Sequence, residues 1–293
     1  MKTLVVKPVP VPKSSHHPPA PNDVLPNHEF TIGIIAPKGS GKTTVIANLL
    51  NFYKGYFHTI LIFSPTVASD EKWDYVKNQR LLIQNKPLQK WVKSVKAKKD
   101  RYSVVDPLPP SHEIQQLVKE ETDEDFDGKI PEECFMTEYN EETLANIMSE
   151  QMAIVTALKQ HDKSKHLANR ICIVFDDLVG SSLFSGKKDN PFKRLNTNHR
   201  HYSISMFMVT QAYKEIPKTV RTQFSCLIVF EIANEKELEV IFEENPMSLK
   251  KDNWMEVYKY CTEGDHDFMF INYQKPKRMR IMKNFQQYVF IDS

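Results

Sequence analysis

Glycine is scarce in this chain of 293 residues, which has only eight. Three of them, Gly33, Gly39 and Gly41, fall in one short stretch, so a glycine loop there is not a by-product of composition. Charge of one sign is also lacking. Lys and Arg number 39 against 37 Asp and Glu, a net of +2, which excludes a global basic signature and leaves nucleic-acid contact to local clusters. The cysteines are four, Cys134, Cys172, Cys226 and Cys261, far apart and without a C-x-x-C. This excludes a disulfide framework, and Cys172 and Cys226, inside apolar runs, read as buried free thiols in a reducing compartment. The histidines show no ligand spacing: His16 and His17 are adjacent, His161 and His166 are five apart, and no zinc pattern exists. No run approaches the roughly 18 apolar residues of a membrane span, and the N-terminus lacks the apolar segment of a secretory signal. The expectation is a soluble intracellular protein.

What is present begins with FTIGIIAPKGSGKTTVIANLL, Phe30 to Leu50. An apolar run, Ile32 to Ile35, enters Ala36-Pro37-Lys38-Gly39-Ser40-Gly41-Lys42-Thr43-Thr44, and an apolar helical pattern follows. Strand, glycine loop and helix form the context of a phosphate-binding loop, or Walker A motif. Gly39 and Gly41 allow a tight turn that aims N–H groups at one point, and the positive end of the next helix faces it. Pro37 through Thr44 would cradle the nucleotide, Lys42 would reach the β- and γ-phosphates, and the Thr43 hydroxyl would ligate Mg²⁺. The usual first glycine is Ala36 here, which fits if its φ is negative.

Along the chain, residues 1–28 carry seven prolines and read as an extended, mobile arm, with a P-loop domain spanning 29–293. His58 to Ser64 is a second strand that places Ser64 and Thr66 on the ligand edge of a parallel sheet. Residues 67 to about 168 lack a parallel-strand signal and read as a partly helical insertion. Within it, Lys86–Arg101 is basic with Trp91 and Tyr102 interleaved, 106–110 is a proline break, 111–114 starts a short helix, and 120–127 is an acidic run. Asn140 to Asp162 has the apolar spacing of a long helix. Ile171 to Leu178, ICIVFDDL, is an apolar strand ending in two carboxylates, and Ser203–Gln211, Ser225–Phe230 and Asp267–Tyr273 follow as further strands. Strands alternating with helices indicate an α/β fold around a mostly parallel sheet.

Hydrolysis needs a carboxylate for Mg²⁺ and a group that orients water. Asp176 is placed for the first task and Asp177 for the second, a Walker B pair; the alternative is a capping pair at a strand-to-turn junction. Gln211 would sense the γ-phosphate, Thr210 could share the role, and Arg200 or Arg221 could supply the arginine that neutralises transition-state charge, in cis or in trans, or be a surface ion pair. All of this requires Lys42 and the two acids to reach the same end of neighbouring parallel strands.

The ordered set APKGSGKTT, SPT, IVFDDL, RHYSISMFMVTQAY and IPKTVRTQFSCLIVF resembles the genome-packaging ATPases of large eukaryotic DNA viruses, the poxvirus-type branch of the FtsK/HerA superfamily of P-loop motors. The resemblance covers roughly residues 30–245. It implies a P-loop NTPase of the RecA-like/ASCE class with a central mostly parallel sheet flanked by helices. It also implies ATP and Mg²⁺ as cofactors, double-stranded DNA as the translocated partner, a homo-oligomeric ring, a capsid or portal partner, and work in the host cytoplasm or virion. By position, Lys42 and Thr43 match the phosphate loop, Asp176 and Asp177 the Mg²⁺ and water pair, Gln211 the sensor, and Arg221 the arginine after the sensor strand. Basic residues at Lys86–Arg101, or Lys187, Lys188, Lys193 and Arg194, would grip the DNA backbone. A small-molecule P-loop kinase and a nucleotide-gated scaffold remain the other readings.

Overall fold

The computed structural model describes residues 17–101, 126–161, 163–178, 180–184 and 190–290, with only the helix backbone of 95–101. His16, Tyr102, the expected features at 106–114, most of the acidic run and Lys187–Lys188 lie outside the described residues.

Among the described residues nine strands form one sheet: β1 (Thr31–Ile35), β2 (Thr59–Phe63), β3 (Phe135–Met136), β4 (Ile171–Asp176), β5 (Ile204–Thr210), β6 (Cys226–Phe230), β7 (Phe268–Asn272), β8 (Ile281–Lys283) and β9 (Gln287–Tyr288). Their order is β3-β2-β4-β5-β1-β6-β7-β8-β9. The first six are parallel and the last three are added antiparallel. This is the α/β architecture expected from the alternating pattern, with one difference at its heart. The strand before the glycine loop and the strand before the acids end at the same edge but are not neighbours, because β5 lies between them. That inserted strand is the one that carries Gln211 at its end.

β1, β4, β5 and β6 are buried at every position, as a strand covered on both faces must be. Alternation sorts their side chains. Ile173 and Phe175 join a core with Leu144, Trp254 and Tyr258 on one face. Cys172 and Val174 join Ile46, Leu50, Phe57 and Trp73 on the other. Gly33 sits mid-strand because the Phe224 ring occupies its side-chain space: a Cβ there would lie 2.3 Å from Phe224 Cε2.

The helices are α1 (Lys42–Phe52), α2 (Glu71–Lys77), α3 (Lys86–Arg101), α4 (Glu141–Gln160), α5 (Pro191–Asn198), α6 (Lys218–Arg221), α7 (Glu235–Glu244) and α8 (Lys251–Cys261). The long helix of the insertion is α4, started by the Asn140 side chain accepting from the Thr143 N–H at 2.9 Å. Among the described residues no helix is long and apolar enough to cross a membrane. Burial pushes the Cys172 and Cys226 thiols well up, and Cys261 up to about 12.

Two expectations change. Trp91 does not interleave with the basic face of α3; it packs on a small core of Leu88, Ile154, Leu158 and Ala168 and meets the His161 ring at 5.7 Å. The expected mobile arm is docked from residue 17 onward. Leu25 is buried, the Tyr56 hydroxyl donates to the Pro18 carbonyl at 2.6 Å, and Asn272 donates to the Val24 carbonyl at 3.0 Å. Proline removes a donor but leaves its carbonyl as an acceptor, and tyrosines from the end of α1 use those carbonyls.

Candidate active site

The loop after β1 forms as its glycines require. Gly39 and Gly41 have φ of 85° and 99°, where a side chain would be strained. Ala36 is fully buried, its N–H donates to the Thr210 carbonyl at 3.0 Å, and it is absent from the positive-φ residues, so alanine fits the first position. The loop closes on itself through Ser40, whose N–H and hydroxyl both donate to the Pro37 carbonyl, at 3.2 and 2.7 Å. Helix α1 starts at Lys42 with no side-chain cap and no acidic residue in its first turn. Its leading N–H groups and positive dipole end are therefore unspent, as an anion site needs. Thr43, buried at 5% exposure, begins the same turn.

Lys42 extends across the end of β5 to both acids. Its Nζ lies 2.8 Å from Asp177 Oδ2 and 3.8 Å from Asp176 Oδ1. Gln211 donates from Nε2 to the same Asp177 oxygen at 2.7 Å. Asp177 is turned toward them by a left-handed backbone, φ 53°, while its N–H still donates to the Val209 carbonyl at 3.0 Å. Asp176 completes the group from the buried side. Its Oδ2 accepts from the Ser64 hydroxyl at 2.7 Å, and Ser64 in turn is 3.1 Å from the Thr66 hydroxyl, which accepts from Trp73 Nε1. Its Oδ1 is buried and has no hydrogen-bond partner. Burial pushes the Asp176 pKa up; Lys42 and the Ser64 hydroxyl pull it down by less, and Asp177 pushes it up further.

The orphaned, buried Asp176 oxygen is the donor type a hard divalent cation takes, and the Thr43 hydroxyl in the first turn of α1 is another. The residues present fit Mg²⁺ held by Asp176 and Thr43.

Thr210, expected to share the sensor role, is engaged elsewhere: its hydroxyl donates to Glu215 at 2.7 Å and lies 3.2 Å from the Ala212 carbonyl. The two arginines are not in the group either. Arg221 donates to Glu244 at 2.8 Å and to the Tyr213 carbonyl at 3.2 Å, and lies 4.5 Å over the Tyr213 ring with 9% of its side chain exposed. It is a partner of a buried network, and reaching a nucleotide would strand Glu244. Arg200 is exposed, in the short turn His199–His201 that precedes β5. β1 and β5 are parallel, so this turn lies at the rim opposite the loop, across a seven-residue strand or roughly 23 Å.

One contact of the loop has no sequence signal. His266, before β7, places Nδ1 3.0 Å from the Ser40 carbonyl, and its ring would be 3.5 Å from a Cβ at Gly41. It comes from a turn 226 residues downstream, so no local pattern marks it.

A family profile described as Poxvirus A32 protein matches residues 117–271, more than half of the chain. It spans the two acids, Gln211 and Arg221, while the glycine loop lies ahead of it. Among curated proteins none matches. Solved structures similar in shape include two packaging enzymes. One is B204, the DNA-packaging ATPase from Sulfolobus Turreted Icosahedral Virus, at 14% identity and a TM-score of 0.50, covering 87% of this chain and 96% of that one. The other is the genome packaging NTPase B204 from Sulfolobus turreted icosahedral virus 2 in complex with AMPPCP, at 11% identity and a TM-score of 0.52, covering 91% and 99%. At these identities the likeness shows the fold, that of a P-loop ATPase.

Proposed function

This chain belongs to the Poxvirus A32 protein family, and on that premise we propose that it is an ATP-hydrolysing motor that drives double-stranded DNA into a viral capsid. The observation that carries the ATPase reading is one lysine reaching two acids from an uncapped helix start. Lys42, Asp176, Asp177 and Gln211 converge on the edge where β1, β4 and β5 end.

The chemistry follows from that edge. The backbone N–H groups of 38–43, other than that of Ser40, which the Pro37 carbonyl holds, bind the phosphates. Lys42 leaves Asp177 for the β- and γ-phosphate oxygens, since a triphosphate offers it more negative charge than one carboxylate does. Asp177 then keeps only Gln211; the two orient the attacking water, and the Asp177 carboxylate accepts its proton. Asp176 and Thr43 would hold Mg²⁺, which supplies charge neutralisation on the phosphoryl oxygens. The Ser64–Thr66–Trp73 chain fixes the Asp176 rotamer by hydrogen bonds to its other oxygen.

Translocation requires grip on a duplex and a second source of positive charge at the transition state. Exposed Lys193 and Arg194 stand on the outer side of α5, whose Phe192 and Leu195 are buried in the core. They follow the Asp pair directly and suit backbone contact. Arg200 faces away from its own loop, so its part in hydrolysis falls in trans, in a ring where one subunit's β5 entry meets the next subunit's glycine loop. The related packaging ATPase of the archaeal virus supports the DNA assignment by fold. A capsid or portal protein is the expected docking partner, and the motor acts where capsids are filled, in the host cytoplasm or the virion.

The test is Asp177→Asn in the full-length chain. ATP turnover is expected to fall at least a hundredfold while ATP affinity stays within threefold. Turnover at the wild-type rate would remove Asp177 from the mechanism and favour a nucleotide-gated scaffold.

A further inference from the structure

At the rim opposite the glycine loop, where β1, β4 and β5 begin, three side chains distant in sequence meet: His17, Glu29 and His166. One ligand atom from each lies within 4.8 Å of the others. We propose that these three residues bind a divalent transition metal, Zn²⁺ by their chemistry, which clasps the N-terminal segment to the sheet. The site is independent of the nucleotide and of the reading given for it.

The donor set is two imidazoles and a carboxylate, one of the combinations that zinc takes with a fourth position for water. The distances favour a cation over a simple ion pair. His17 Nε2 and Lys165 Nζ each sit 3.2 Å from Glu29 Oε1, longer than the 2.7–2.9 Å of charge-assisted hydrogen bonds. The His17 distance is close to the roughly 3.3 Å edge between ligands in a tetrahedral zinc site. His17 has only 8% of its side chain exposed, so its ring is held at the site rather than free in solvent. The His17 and His166 rings are held 4.1 Å apart at 86°, close and edge-on.

The surroundings fix the ligands as second partners do in metal sites. Glu29 is held in a left-handed backbone, φ 68°, and its carbonyl accepts from His199 at 3.1 Å. Burial works against its carboxylate, but the His17 hydrogen bond and the Lys165 charge outweigh burial and hold its pKa below the ordinary value. His28 stands 4.6 Å from His17 but has both ring nitrogens on Ser203 and Ser205, and burial keeps it neutral. It is a wall rather than a fourth ligand. Lys165 competes for the Glu29 oxygen and also donates to the Arg200 carbonyl at 3.1 Å, so the metal would sit beside the turn that carries Arg200.

The test uses full-length protein stripped of metal and titrated with Zn²⁺ and with Co²⁺. One Zn²⁺ per chain is expected, with a Tm rise on addition and the intense visible absorption of tetrahedral Co²⁺. His17→Ala, His166→Ala and Glu29→Gln should each weaken binding at least tenfold and abolish the Tm rise. Lys165→Ala should bind as tightly or more tightly, because the competing cation is gone. Lys42→Ala and His201→Ala should bind like wild type, which separates this site from the nucleotide edge and from casual surface coordination. The absence of stoichiometric Zn²⁺ binding in the wild type would overturn the proposal. So would unchanged affinity in a His17→Ala/His166→Ala double variant with the wild-type circular dichroism spectrum.

Discussion

Replacing Asp176 by Asn should make the protein more stable and inactive at once. Asp176 is fully buried, one oxygen has no hydrogen-bond partner, and Lys42 stands 3.8 Å away, beyond hydrogen-bond reach. Burial raises its pKa in the folded state above the unfolded value. Between those two values the native state holds a proton that the unfolded chain has lost, so stability falls as pH rises through that window, and above it the cost is complete. Asparagine keeps an oxygen for the Ser64 hydroxyl and removes the charge, and Lys42 keeps Asp177 at 2.8 Å. The gain at pH 7 should be about 1 kcal/mol, the usual return when a functional strain is relieved. With an unfolding entropy of roughly 2.1 cal/mol/K per residue, a chain this long gains about 2 °C in Tm. Calorimetry on nucleotide-free, Mg²⁺-free protein from pH 7 downward reads both parts. The gap between variant and wild type should close as pH falls through the folded Asp176 pKa, and ATP turnover should be lost throughout. A variant less stable than wild type by about 1 kcal/mol or more at pH 7, with no change on acidification, would instead make Asp176 a net stabilising partner of Lys42.

Two further outcomes test the frame around the site. Gly33→Ala puts a methyl 2.3 Å from the Phe224 ring, more than an ångström inside normal contact, and should cost about 1–3 kcal/mol, read by urea denaturation. In a Phe224→Leu background the same change should cost at most half as much, and an equal cost would show that the ring is not the obstacle. For the arginine, mixing Arg200→Ala with Lys42→Ala subunits should restore part of the turnover that each lacks alone. No recovery in intact assemblies would place the transition-state charge elsewhere.

The meeting of Lys42, Asp176, Asp177 and Gln211 was legible because its signals are local. Glycines before a helix, two acids after five apolar residues and a glutamine closing the next apolar strand each place a side chain at a strand end, and parallel pairing then gathers the ends. The sequence alone could not show that β5 would separate β1 from β4, since all three are similar apolar runs and nothing local states their order. Arg221 read as available because its partners, Tyr213 and Glu244, are joined to it only by tertiary packing. The docking of residues 17–28 was hidden for the same reason: proline content argues for extension, and the tyrosine hydroxyls that receive the segment come from the end of α1. His17, Glu29 and His166 illustrate the limit most plainly, being unremarkable in spacing and adjacent in space.

The most direct test of the central claim is ATP turnover by the full-length chain with and without linear double-stranded DNA, run beside a mass measurement of the assembled species. Turnover should rise severalfold with duplex DNA in an oligomer, that stimulation should weaken as salt is raised, and turnover should vanish in Lys42→Ala. Turnover indifferent to duplex DNA in the assembled protein, with phosphate passed to a nucleoside monophosphate instead of water, would contradict it.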